Sequence, residues 1–210
     1  MAYFFYGRPA YRVSANGAVK VEAACPYCFV FDPVLINTAR AIHAFDTGAF
    51  ANRLYTHIMT EEMAIEDFCL ERDPTRPNRI IAAVFSKLET YFEGDTTKMV
   101  APDKGAEPWE FHARAYLHLL ASTGRNEPDD RICSIEVSFT RDVSLHGTLR
   151  AIIVPHTLWR APARTPWLET LSSSGVEISP YAFIPGRHPE HYHALMEVAV
   201  RELYAKWGFL

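Results

Sequence analysis

The sequence predicts an α/β fold: a mixed sheet with helices packed on it. Three stretches carry that reading. Leu149-Arg150-Ala151-Ile152-Ile153-Val154 is almost wholly apolar and rich in branched residues, the composition of a strand buried on both faces. A short helix over 166–173 and a strand over 176–184 follow it. Such a strand-helix-strand unit normally forms a parallel pair with a right-handed crossover. Near the start, Tyr11–Ala15 and Ala18–Ala23 flank Asn16-Gly17, a strong short-range hairpin signal. The expected order is an N-terminal hairpin, a helical block over 34–122, then a C-terminal β-hairpin followed by a β-α-β-α unit. We read residues 1–210 as a single α/β domain, with the block an insertion or subdomain.

Ala2–Tyr6 is short, aromatic and strand-like. In the helical block, Val34–Phe45 reads as a first helix. Asp46 or Thr47 then caps a second, from about Ala49 to Glu71, with Phe50, Leu54, Ile58, Ile65 and Cys69 as its inner stripe. After a turn at Asp73–Pro77, the residues Ile80, Ile81, Val84, Phe85, Leu88 and Phe92 keep helical spacing up to Gly94, which suits a helix end. Pro108 opens a further helix to about Ser122. His112 and His118 fall on different faces of it.

In the C-terminal stretch, Cys133, Ile135, Val137 and Phe139 alternate with Ser134, Glu136, Ser138 and Thr140, the period of a half-buried strand. His146-Gly147 suits a tight turn, since glycine accepts positive φ. Pro166 stands early in its helix and Gly175 just past its end. The last helix starts at Pro189. Tyr192, Leu195, Met196, Ala199, Leu203 and Trp207 lie on one face, with Glu197/Arg201 and Glu202/Lys206 paired i,i+4 outside.

The composition is that of an ordinary globular protein: 49% hydrophobic and 22% charged, with aromatics somewhat rich at 13%. A formal charge of −4 speaks against a whole-surface electrostatic grip on nucleic acid and leaves it only a local patch. There is no run long enough to span a bilayer and no signal-peptide layout at the start. Four cysteines without a dense framework fit a reducing setting, so a cytoplasmic location is expected.

Open α/β sheets place ligands beyond the carboxyl ends of their parallel strands. Here those ends are Pro155-His156-Thr157 and Pro185-Gly186-Arg187-His188. The second runs into a helix N-terminus, where free N–H groups favour an anion. His156, Arg160, Arg187 and His188 would make a basic anion pocket. A tight hairpin at His146-Gly147 would instead bring Asp129, Asp130 and Glu136 to the same edge, as a carboxylate and histidine metal site. The plainest alternative is a set of solvated loop residues.

Two further signals are chemical. Cys25-Pro26-Tyr27-Cys28 resembles the tetrapeptide of glutaredoxin-like proteins, which implies a dithiol couple; Pro33 interrupts the helix expected to follow. The same pair is also half of a zinc site, or two unlinked thiols. Pro128-Asp129 with Ile135-Glu136-Val137 resembles the acid pattern of restriction-endonuclease-like nucleases. That resemblance implies a divalent metal held by Asp129 or Asp130 and Glu136, with phosphodiester hydrolysis. Ser138 stands where that family keeps a lysine.

Three functions therefore stand side by side. The first is binding or assembly, through the corner at Arg187 and the aromatics Tyr3, Phe4, Phe5 and Trp159, with a protein partner or a small anionic ligand. The second is metal-dependent hydrolysis through Glu136 and Asp130. The third is thiol redox chemistry through Cys25 and Cys28.

Overall fold

The computed structural model describes residues 1–10, 17–53, 55–122, 130–161 and 165–210. The fold is α/β, and the chain divides into two compact units, each with its own sheet. The proposed strand and turn over 11–16, together with Leu54 and Asp129, lie outside the described residues.

The first unit comprises Met1–Ala10 and Ile36–Val143. Its sheet holds β1 (Ala2–Phe5), β3 (Ala41–His43), β4 (Cys69–Leu70) and β5 (Glu136–Phe139), in the order β1-β5-β3-β4, all antiparallel. Around it run α1 (Thr47–Ala51), α2 (Thr75–Phe85), α3 (Leu88–Glu93), α4 (Pro102–Gly105) and α5 (Phe111–Ala121). Phe45 centres an aromatic core, in ring contact with Phe50, Tyr55, Phe68 and Tyr116.

Here the expected helices are shorter or replaced. The helix over 34–45 is a 3-10 turn at Pro33–Thr38 followed by β3. Asn37 and Thr38 are weak helix formers, and Asp46 caps α1 by accepting from the Gly48 N–H at 2.9 Å. The helix over 49–71 ends at Ala51, because Arg53 takes φ +56° and cannot propagate it. Tyr55 and Met59 are buried in its place, and Cys69 is exposed in β4. The periodic stretch through Phe92 is cut at Ser86 (φ +63°), where the Lys87 N–H donates to Phe85 O at 2.7 Å and closes a three-residue turn. Ile81, Val84, Phe85 and Phe92 are buried as expected, while Ile80 and Leu88 are half-buried. On β5 the polar face is not wet: Glu136 and Ser138 are each 3% exposed.

The second unit comprises Tyr11–Leu35 and Ser144–Leu210. Its sheet runs β2 (Cys28–Phe31), β6 (Leu149–Pro155), β7 (Glu177–Tyr181), in that order. β2 is antiparallel to β6, and β6 is parallel to β7. The short α6 (His156–Trp159) and α7 (Pro166–Ser173) make the crossover, and α8 (Pro189–Lys206) follows β7. Leu149, Ile152, Val154, Leu168 and Val176 form one core cluster, joined by Phe31, Trp159 and Leu171. Tyr192, Met196, Ala199, Val200 and Leu203 are the buried face of α8. Pro180 sits in β7 because that strand is an edge, where a missing N–H is tolerated.

One expected connection does not form. The turn at His146-Gly147 is present, with Gly147 at φ +77°, but β5 and β6 on its two sides belong to different sheets. Side-chain burial explains this. β5 is buried on both faces, so it pairs centrally with β1 and β3, and β6, also buried on both faces, pairs with β2 and β7.

Candidate functional site

The parallel register aligns Val154 with Pro180 and Pro155 with Tyr181, so both strands end at the same edge. His156 follows β6 directly. Its Nδ1 accepts from the Phe183 N–H at 3.1 Å, which ties the segment after β7 to the start of α6. With Nδ1 accepting, Nε2 is the nitrogen that carries the ring proton. Arg160 ends α6 and is exposed.

After β7 the chain is shaped by backbone bonds. The Gly186 N–H donates to Val19 O, and the Val19 N–H donates to Arg187 O, each at 2.8 Å. Gly186 takes φ +86°, a conformation that favours glycine. Tyr192 donates its hydroxyl to Ile184 O and stacks on Phe183. With its backbone so held, the turn leaves Arg187 and His188 exposed. His188 occupies the N-cap position of α8 without a side-chain capping bond, and Pro189 follows. Thr157 Oγ1 and His191 Nε2 are fully buried atoms with no hydrogen-bond partner among the described residues. Glu190, exposed in the first turn of α8, carries negative charge.

Glu136 is in the first unit's sheet, so the hairpin expected to carry it toward His156 does not exist. Its Oε1 accepts from Thr47 Oγ1 at 2.6 Å and its Oε2 from the Thr47 N–H at 3.3 Å. Burial pushes its carboxyl above the ordinary range and the Asp46 carboxylate adds to this, against the Thr47 hydrogen bonds. Asp130 lies in a 3-10 turn, and its side chain is outside the described residues. Among the described residues, no group of three histidine, cysteine or acidic side chains is arranged to hold a metal ion.

Cys25 and Cys28 are both free thiols. Burial raises Cys25, and it pushes Cys28 up to about 12. Thiol exchange runs through the thiolate, which this environment disfavours. Tyr181, whose hydroxyl donates to Pro26 O at 2.7 Å, closes over this segment.

Sequence reasoning named His156, Arg160, Arg187 and His188 from strand topology; His156 stands at the shared strand edge, and the other three are exposed. It missed the Phe183 N–H and the Val19 bridge, which are backbone groups that no residue type announces. It also missed Asp46 and Thr47 as the neighbours of Glu136, because β3 was read as helix. The chain matches no protein-family model, no curated protein and no solved structure.

Proposed function

We propose that the second unit is a binding module for a small oxyanion of the phosphate or sulfate type, held at the corner beyond β6 and β7. The observation that carries this reading is the parallel register of those strands, with His156 bound to Phe183 across their ends. Arg160 and Arg187 supply positive charge, His156 an oriented Nε2–H, and the uncapped start of α8 a favourable dipole. Thr157 and His191 each carry a buried polar atom that a ligand or its hydration would satisfy. An anion of this kind is either the ligand itself or the charged group of a larger partner.

Thermal unfolding in phosphate, against chloride at equal ionic strength, tests the reading. A ligand at about 100 times its Kd stabilises by about 2.7 kcal/mol. Phosphate should raise the midpoint saturably, and Arg187→Ala, on an exposed turn, should remove that rise while leaving the fold intact. An equal rise in wild type and variant would exclude the corner.

A further inference from the structure

The first unit aligns three chemically active residues in one row across three strands. Cys69 of β4 is directly opposite His43 of β3, and His43 is directly opposite Glu136 of β5. Residues so opposed in antiparallel strands share a face, with Cβ atoms about 4.5–5.5 Å apart. Exposure is graded along the row. Glu136 is buried, His43 half-buried and Cys69 exposed. A nucleophile, its base and an orienting acid can be laid out in that order along such a row.

We propose that Cys69 is a nucleophile served by His43 as general base, with Glu136 as the positioning residue at the buried end, and that this row takes acyl groups from thioesters or activated esters. The inference is independent of the anion corner, which lies in the other unit.

Several observations support it. His43 Nδ1 is fully buried and has no hydrogen-bond partner among the described residues, so the nitrogen an acid would orient is unoccupied. Burial holds the His43 imidazole below its ordinary range, against Glu66, which raises it, and with Arg40, which lowers it further. A neutral ring is the form that accepts a proton at pH 7. Cys69 alone among the four cysteines is exposed. Its thiol lies near Leu70 O at 3.7 Å, a weak contact that leaves it available.

The step balances without a further reagent. As the Cys69 sulfur bonds to the acyl carbon, its proton passes to His43. The bond from acyl carbon to leaving group breaks, and the leaving group departs with that proton. Water then attacks the acyl carbon, gives a proton to His43, and releases the acid as the C–S bond breaks and sulfur regains the proton.

The test uses the full chain with p-nitrophenyl acetate at pH 7, and peptide mass mapping to follow acetylation of each cysteine. Cys69 should acetylate about tenfold or more faster in the native chain than in urea, where base and thiol are separated. His43→Gln should slow the native reaction by a similar factor, and Cys69→Ser should remove it. Glu136→Gln should shift the pH profile of acetylation, which a purely structural loss would not do; an unchanged profile removes Glu136 from the site. Native acetylation of Cys69 no faster than in urea, or unaltered by His43→Gln, overturns the proposal. If His43→Gln fails to fold, the native-against-urea comparison on the unaltered chain decides alone.

Discussion

Tyr91 and Ile135 are joined by a hydrogen bond that stands in for a missing rung of the sheet. The Ile135 N–H donates to the Tyr91 hydroxyl at 3.0 Å, and that hydroxyl donates to Tyr6 O at 2.7 Å. The Tyr6 N–H meets Ile135 O directly at 2.9 Å. Tyr91 is thus inserted between the two backbones just where β1 and β5 part. Tyr91→Phe removes one oxygen and leaves a buried N–H without its acceptor. We expect a loss of about 1–3 kcal/mol in urea denaturation with an unchanged slope. A loss of a few tenths would mean that the strands close up and bond each other.

Phe85 and Leu88 separate the two ways of reading the helical stripe. A continuous helix would bury both, but the turn at Ser86 leaves Phe85 1% exposed and Leu88 half-buried. Phe85→Ala should cost about 3–5 kcal/mol. Leu88→Ala should cost about 1 kcal/mol, since only part of its surface leaves water. Equal losses at the two positions would favour an unbroken helix.

How much of this was legible in the sequence depends on the length and the punctuation of each pattern. β6, α7 and α8 are long or bounded by Pro166, Gly175 and Pro189, and they are found where periodicity put them. β3 and β4 span 3 and 2 residues, too short for alternation to show. The helix stops at Arg53 and Ser86 are left-handed backbone at residues that do not advertise it. The shared edge beyond β6 and β7 was legible because a parallel pair follows from local order. The row of Cys69, His43 and Glu136 was not, because it rests on register between segments far apart in the chain.

Glu136 makes the first unit's stability depend on pH in a definite direction. Its native carboxyl is raised above the ordinary 4.5, so the folded state binds its proton more tightly than the unfolded chain does. The resulting stabilisation is fully present below 4.5 and is lost as pH rises through the native value. Glu136→Gln, which is neutral throughout, should lack this slope. Denaturation midpoints measured from pH 4 to pH 8 should therefore fall more steeply in wild type than in the variant. Parallel curves would show that the carboxyl is effectively solvated.

Arg150 holds the end of the chain to the second sheet. Its guanidinium carbon lies 4.7 Å from the centroid of Trp207 and 5.9 Å from that of Phe209, and Tyr204 contacts both rings. Arg150→Ala should cost about 0.5–2 kcal/mol and change Trp207 fluorescence, while Arg150→Lys should recover part of the loss. Loss of stability with no spectral change would place the effect elsewhere on β6.

Pro180 has a consequence for the molecule's dealings with its own kind. An open sheet edge is a template on which a further strand can assemble, the first step toward fibrils. β7 is such an edge, but at Pro180 it has no N–H to offer an incoming strand. A strand lacking that donor is a poorer template for self-templated growth.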